Sequence, residues 1–444
     1  MPPSARLAVL LERELPRTAA GLVVGLSGGK DSACLLALVA GLSAERRAPP
    51  VRAVHVDHGL QRAAAEFRRV CAALCARLGV PLAILAVPVE LGRGVSVEAA
   101  ARAARYAALR GALRPGECLL TAHQAEDQAE TVLLQALRGA GPAGLAGMPR
   151  RRAFGAGVHL RPFLEVPRRE LERCADALGL ETIADPMNRD ERFDRAYLRH
   201  RVWPALERRW PGAAAALGRV ARHAADAQHL LGEIADADLV GLRDGDALSI
   251  PRLRALAPAR RANVLRRWIA ERTMPPSAAR LAEALRQCLE ARGDQRPAVL
   301  WGGQALRRYR DRIYLTPAHL PRLGAPLAWT PAVQPTLELG AGLGRLRWVE
   351  RPGGLALDRL PPTLSVERRR GGERLKIGPR AATHTVQHLC QTDGVLPWMR
   401  DALPFVYAGG RLIAVGDRWS DALARAPLGA PGAALAWDDA PAID

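Results

Sequence analysis

The hexapeptide Ser27-Gly28-Gly29-Lys30-Asp31-Ser32 stands between an apolar run at 22–26 and a helix-forming run at 33–42. Two adjacent glycines let the backbone approach an anion and aim successive N–H groups at it, and the helix that follows adds the positive end of its dipole. The hydroxyls of Ser27 and Ser32 add donors, and Asp31 is suited to holding magnesium against phosphate oxygens. The Walker pattern does not fit, because Val24 stands where its first glycine is required and Asp31, instead of Ser or Thr, follows Lys30.

Three further clusters carry chemistry. Asp127 and Glu130 lie three apart on one helix face. They are read either as holders of magnesium or of an attacking group, or as acidic residues that complement a helix dipole. Arg102 and Arg105 share the same spacing and are read either as a solvated face or as neutralisers of charge near a phosphate. His55 and Asp57, in the run His55-Val56-Asp57-His58-Gly59, and His123 are polar groups at strand ends, although such histidines are more often structural than catalytic.

These clusters need a scaffold that gathers them. Residues 20–140 alternate short apolar runs with helical patterns, which predicts a parallel sheet covered by helices. The expected strands are 22–26, 51–56, 82–87 and 118–122, and the expected helices 32–42, 63–78, 97–113 and 125–138. In open α/β sheets ligands bind beyond the carboxyl ends of strands, where all the clusters sit. A stretch at 161–166 is expected to return the chain to this first domain. From 213 to about 289 the pattern reads as helical throughout; 316–362 reads as short strands and linkers, and a last unit begins near Leu364.

The chain has 444 residues, long enough for two or three domains. Its 64 basic residues exceed its 45 acidic ones, for a net charge of +19, and this excess points to a polyanionic partner. Only Lys30 and Lys376 are lysines, a bias that codon usage explains for arginine over lysine but not for basic over acidic. The seven scattered cysteines argue against a disulfide framework, and Cys71 and Cys75 read as core residues instead of half a metal site. Neither a signal-peptide pattern nor an apolar stretch of membrane-spanning length is present, so no membrane association and a cytoplasmic protein are expected.

The Ser-Gly-Gly-x-Asp-Ser form resembles the pyrophosphate loop of the N-type ATP pyrophosphatases, the PP-loop superfamily. The ordered set that follows comprises 55–60, 98–106 with Arg102 and Arg105, and 121–139 with His123, Asp127 and Glu130. After it come Gly144-Leu145-Ala146-Gly147-Met148, Arg161-Pro162, Asp185-Pro186-Met187-Asn188 and the run from Arg195 through Arg199 to His200. Together with Arg370-Gly371-Gly372-Glu373-Arg374-Leu375 and Leu396-Pro397-Trp398-Met399-Arg400, this set closely resembles the tRNA(Ile)-lysidine synthetase family. Gln124 stands where that family usually has a second histidine, Glu126 where it has Asp, Met187 where it has Ser, and Ala196 where it often has Asn.

The resemblance implies an α/β fold with a parallel, doubly wound, Rossmann-like sheet at 1–208, then a mainly helical middle domain at 213–325 and a small α+β C-terminal domain at 364–444. It implies ATP and Mg2+ as cofactors, tRNA(Ile) with a CAU anticodon and free L-lysine as partners, and leaves a homodimer open. ATP would be held by Ser27, Gly28, Gly29, Lys30, Asp31 and Ser32, with weaker roles for His55 and Asp57, and magnesium by Asp31 and Asp127. The catalytic set would be Asp31, Asp127, Glu130, His123, Arg102, Arg105, Arg195 and Arg199. Arg368, Arg369, Arg370, Arg374 and Lys376 would hold tRNA phosphates, a merely solvated face being the alternative for any one of them. A tRNA thiolase of the same ATPase group is the rival enzyme, but no C-x-x-C is present; a non-catalytic RNA-binding protein would not be expected to keep the loop and carboxylates intact.

Overall fold

The computed structural model describes residues 2–59, 64–89, 97–184, 190–292 and 295–442. They fall into two compact units, Met1–Leu231 and Gly232–Asp444. In the first, α1 (Pro3–Glu14) precedes β1 (Gly21–Gly25), α2 (Lys30–Ala44), β2 (Val51–Asp57), α3 (Ala64–Leu78), β3 (Leu82–Ala86), α4 (Val97–Ala112), β4 (Glu117–Leu120) and α5 (Ala125–Leu137). Every expected strand and helix over 20–140 is present, with described ends within two residues of the expected ones.

The sheet has the order β3-β2-β1-β4-β6-β5, parallel except at the last edge, where β5 (Arg151–Phe154) forms an antiparallel hairpin with β6 (Gly157–Leu160). The return to the sheet is thus made by β6, just before the 161–166 stretch expected to make it. β1 explains the architecture in five residues. All of it is buried; Leu22 and Val24 join the core under α1, α2 and α7 (Arg168–Ala177), and Val23 joins a second cluster with Leu109 of α4 and Leu113 just beyond its end. Strands buried on both faces read as unbroken apolar runs, and only helices on both faces can cover them.

After α6 (Pro142–Leu145) and α7, the chain forms α8 (Asp194–Tyr197), a π-turn at Leu198–Val202 and α9 (Trp203–Arg209). The motif residues 185–188 lie outside the described residues. α10 (Ala213–Leu242) is long, but the helical pattern expected through 289 is broken by a hairpin of β7 (Arg243–Asp244) and β8 (Ala247–Ser249). Its two-residue turn is Gly245-Asp246, closed by the Asp244–Ala247 pair, with Gly245 at φ +59°, a hairpin signal present in the sequence.

The hairpin joins β9 (Ala298–Trp301), β10 (Gln304–Tyr309) and β11 (Arg312–Pro317) in one antiparallel sheet. That sheet shares a core with α11 (Ile250–Ala255), α12 (Pro258–Ala270) and α13 (Ala278–Glu290). Further on, β12 (Leu327–Trp329) pairs with a strand at Leu364–Glu367 in a second antiparallel sheet, and one hydrophobic cluster runs from Leu323 to Trp437.

Candidate active site

A cavity of about 430 Å³ opens beyond the carboxyl ends of β1, β2 and β4. Its floor is the loop after β1. Gly28 adopts φ +87°, and a Cβ there would lie 3.2 Å from both Ile183 and Phe67. The hydroxyls of Ser27 and Ser32 lie 3.0 Å apart, and Ser32 Oγ donates to the Gly29 carbonyl at 3.0 Å. The loop is therefore closed by its own serines. The N-cap of α2, Gly29, offers no side-chain cap, so the first N–H groups of this 15-residue helix remain for a ligand.

Asp31, Asp127, Arg102 and Arg105 all line the cavity, as do Arg195 and Arg199. Burial, reinforced by the charge of Asp127, raises the Asp31 carboxyl to about 7. Burial alone would raise Asp127 too, but Arg195, His123, Arg199 and Arg168 outweigh it and hold that carboxyl below its usual range. Both arginines of the 195–199 run face the site. Arg195 Nη2 donates to Asp127 Oδ1 at 3.1 Å and its Nε to Glu130 at 2.8 Å; Arg199 Nη2 donates to the same Asp127 oxygen at 3.0 Å and its Nε to Glu130 at 2.7 Å. Four-residue spacing puts the two on one face of α8 and the π-turn, a type of helical irregularity frequent at functional sites.

Glu130 departs from its expected role. It is 1% exposed, it does not line the cavity, and both its oxygens accept from Arg195 and Arg199. It is engaged by guanidiniums instead of lining the cavity. Lys30 departs as well: its ammonium donates to Asp176 at 2.7 Å and does not line the cavity. Arg102 lies over the Tyr106 ring, and neither it nor Arg105 has an ion-pair partner among the described residues. Burial lowers the Arg105 guanidinium, as desolvation does for any cation.

The remaining strand-end groups are ordered by the backbone. His55 Nδ1 donates to the Leu26 carbonyl at 2.9 Å, and burial keeps its ring below the usual histidine range. Asp57 accepts from the Gly59 amide at 2.9 Å. His55, Asp57 and His123 all line the cavity. The site thus offers phosphate-sized backbone donors, two arginines without acidic partners among the described residues and two hard-oxygen carboxylates in one crevice.

Residues 4–206 match the PP-loop domain family, 248–314 the TilS substrate binding domain and 364–437 the TilS substrate C-terminal domain. The chain is 42% identical over 411 residues to a tRNA(Ile)-lysidine synthase of Alkalilimnicola ehrlichii, covering 90% of each chain. It is 42% identical over 418 residues to that of Methylococcus capsulatus, covering 92% of this chain and 93% of the other. The chain belongs to the tRNA(Ile)-lysidine synthase family. It is an enzyme of the ATP-using PP-loop class.

Two of the positions that depart from the family pattern, Gln124 and Glu126, have structural duties. Gln124, in place of the second histidine, is the N-cap of α5: its Oε1 accepts from the Glu126 and Asp127 amides at 2.6 and 3.2 Å, while Asp127 Oδ2 accepts from the Gln124 amide at 3.2 Å. Glu126 accepts from the Arg168 amide at 2.9 Å and so caps α7. The Gly144–Met148 turn is held by Gln128, whose amide exchanges two hydrogen bonds with the Met148 backbone.

Arg168, which no sequence motif singles out, brings a third guanidinium to 3.9 Å from both Asp127 and Glu130. Thr121, at the head of the 121–139 run, lines the cavity, and His159, which no motif marks, contacts Thr121 from behind. All seven cysteines are buried free thiols.

In the second unit, a cleft lined by Arg368, Arg369 and Arg370 also takes in Arg322 and Glu367. Arg369 pairs with Asp401 at 2.6 Å, and Arg370 with Glu367 at 2.7 Å while lying 4.3 Å over the Tyr407 ring. Arg374 donates to the Thr383 carbonyl at 3.3 Å. Arg368 and Lys376 have no carboxylate partner among the described residues, so the five expected RNA contacts are not equivalent.

Proposed function

We propose that this enzyme joins free lysine to C2 of the wobble cytidine of tRNA(Ile) bearing a CAU anticodon, consuming ATP. The 2-carbonyl oxygen of the cytidine attacks the α-phosphorus and pyrophosphate leaves. The lysine ε-amine, deprotonated, then attacks C2 and AMP departs with the former carbonyl oxygen. The product is lysidine, which pairs with adenine and switches decoding from AUG to AUA. The observation that carries the reading is the convergence of the serine-closed loop, Arg102 and Arg105, and two carboxylates on one cavity, in a chain akin to tRNA(Ile)-lysidine synthases over nine-tenths of its length.

Ser27–Ser32 and the free end of α2 suit the β- and γ-phosphates. Arg102 and Arg105 supply charge where phosphate oxygens gather, and Arg195 and Arg199, braced by Glu130, present fixed donors to the same space. Magnesium fits the donor set: Asp31 and Asp127 are hard-oxygen anions close enough for one to raise the other's carboxyl, a repulsion that a divalent cation relieves. Bound there, it would offset charge on the leaving pyrophosphate. The tRNA would be held through its phosphates by the second unit, and a cytoplasmic setting follows from that substrate. No helix among the described residues is long and apolar enough to cross a membrane.

The test is incubation with ATP, magnesium, labelled lysine and unmodified isoleucine CAU tRNA, followed by nucleoside analysis. Label in a modified cytidine, dependent on ATP, is the expected result. Sulfur incorporation, or ATP turnover without label in tRNA, would reject the assignment.

A further inference from the structure

At the wall of the cavity, which Thr121 and His123 line, three polar side chains form a relay to which the reaction above assigns no step. His123 Nδ1 lies 2.8 Å from Thr121 Oγ1, and the same hydroxyl lies 2.8 Å from His159 Nε2. Thr121 is 3% exposed and His159 0%. The His159 ring packs 5.8 Å from Tyr106 and 5.5 Å from Phe154, centroid to centroid. Burial keeps both rings neutral: His123 is pushed down to about 3 and His159 to about 2, with neighbouring arginines adding to the effect.

The two rings are the hydrogen-bond partners of Thr121 Oγ1 among the described residues, so its single proton goes to one ring and it accepts from the other. The far end of the relay decides which. His159 Nδ1 is buried without a hydrogen-bond partner. An orphaned buried N–H is the rarer case, so Nδ1 carries the bare lone pair. His159 therefore bears its proton on Nε2 and donates to Thr121; Thr121 donates to His123 Nδ1, and the His123 proton sits on Nε2, the nitrogen left for the cavity.

We infer that Thr121 and His159 are positioning residues that lock His123 in its Nε2–H tautomer, making it a neutral hydrogen-bond donor to a phosphoryl oxygen in the cavity. A neutral donor strengthens as that oxygen gains charge and has no positive charge to spend on the ground state. The ligand rests on the ATP chemistry proposed above; the tautomer does not.

Long-range proton–nitrogen NMR on protein with 15N-labelled histidine reads which ring nitrogen is protonated. In the wild-type protein His123 is expected as Nε2–H, and Nδ1–H would overturn the inference. Thr121→Val and His159→Leu should mix the tautomers and lower kcat for tRNA-dependent pyrophosphate release on the order of 100-fold, with little change in KM for ATP. Thr121→Ser and His159→Gln, which keep the hydroxyl and a donor, should restore both readings. Folded Thr121→Val and His159→Leu proteins with the wild-type tautomer and kcat would also overturn it. The tautomer readings decide the relay even if the wild-type protein releases no pyrophosphate, an outcome that would count instead against the reaction itself.

Discussion

Asp127 and Glu130 sit three apart on one helix, yet they do different work because one faces the cavity and the other is sealed beneath arginines. Removing Glu130 leaves Arg195, Arg199 and Arg168 crowded around one remaining carboxylate. Glu130→Ala should cost about 3–5 kcal/mol in a urea unfolding experiment, as expected for one partner removed from a buried ion pair. Asp31→Ala and Asp127→Ala act differently. Each should leave a folded protein whose tRNA-dependent pyrophosphate release is lost, a barrier increase on the order of 3 kcal/mol or more; near-normal release would reject the metal assignment. His159 sets a pH dependence. Its folded pKa of about 2 lies below the ordinary 6.5, so between these values the unfolded chain binds the extra proton, and stability present above 6.5 is lost as the pH falls. Between pH 7.5 and pH 5 the wild-type protein should lose roughly 2 kcal/mol more than His159→Gln, measured by urea midpoints at the two pH values.

At the scale of elements, the site is assembled by helix ends. α5 begins where Gln124 satisfies two amides and Asp127 returns a bond to the Gln124 backbone, so the cap that starts the helix also fixes a cavity carboxylate. Gln124→Ala should lower stability by about 1 kcal/mol and, by loosening Asp127, lower kcat as well; an unchanged kcat would separate the cap from the chemistry. α2 starts from a loop that only glycine accommodates at position 28. Gly28→Ala forces a Cβ into the left-handed region and against Ile183 and Phe67. Roughly 1–2 kcal/mol of stability and much of the ATP affinity should go with it, measured by thermal shift with and without ATP.

For the molecule as a whole, the net charge of +19 is distributed unevenly in its effect. Many arginines are tied to acids, including Arg369 and Arg370, while Arg368 and Lys376 stand without carboxylate partners among the described residues. Cutting the chain at 364 would split the cluster running from Leu323 to Trp437, so charge reversal is the cleaner probe. Arg368→Glu with Lys376→Glu should weaken tRNA binding and reduce its salt slope by about 0.7–0.9 for each phosphate that is no longer neutralised. An unchanged slope would mark these residues as solvated surface.

The sheet, its helices and the gathering of polar clusters at one end were legible in the sequence, because strands buried on both faces must be apolar throughout and parallel connections must bring their carboxyl ends to one edge. The loop 27–32 was legible as a turn before a helix from its residue types. The hairpin turn at Gly245-Asp246 was equally legible, but the surrounding helical periodicity masked it. What only the tertiary structure decided was the direction of each charge: Lys30 toward Asp176, Glu130 into the arginines 65 to 69 residues away, Arg168 onto both carboxylates, and His159 behind Thr121. A local pattern records which face of an element is apolar. It does not record which distant charge arrives there, since ion pairs form between segments whose approach is set by the packing of the core, and burial then determines how strongly each pair acts.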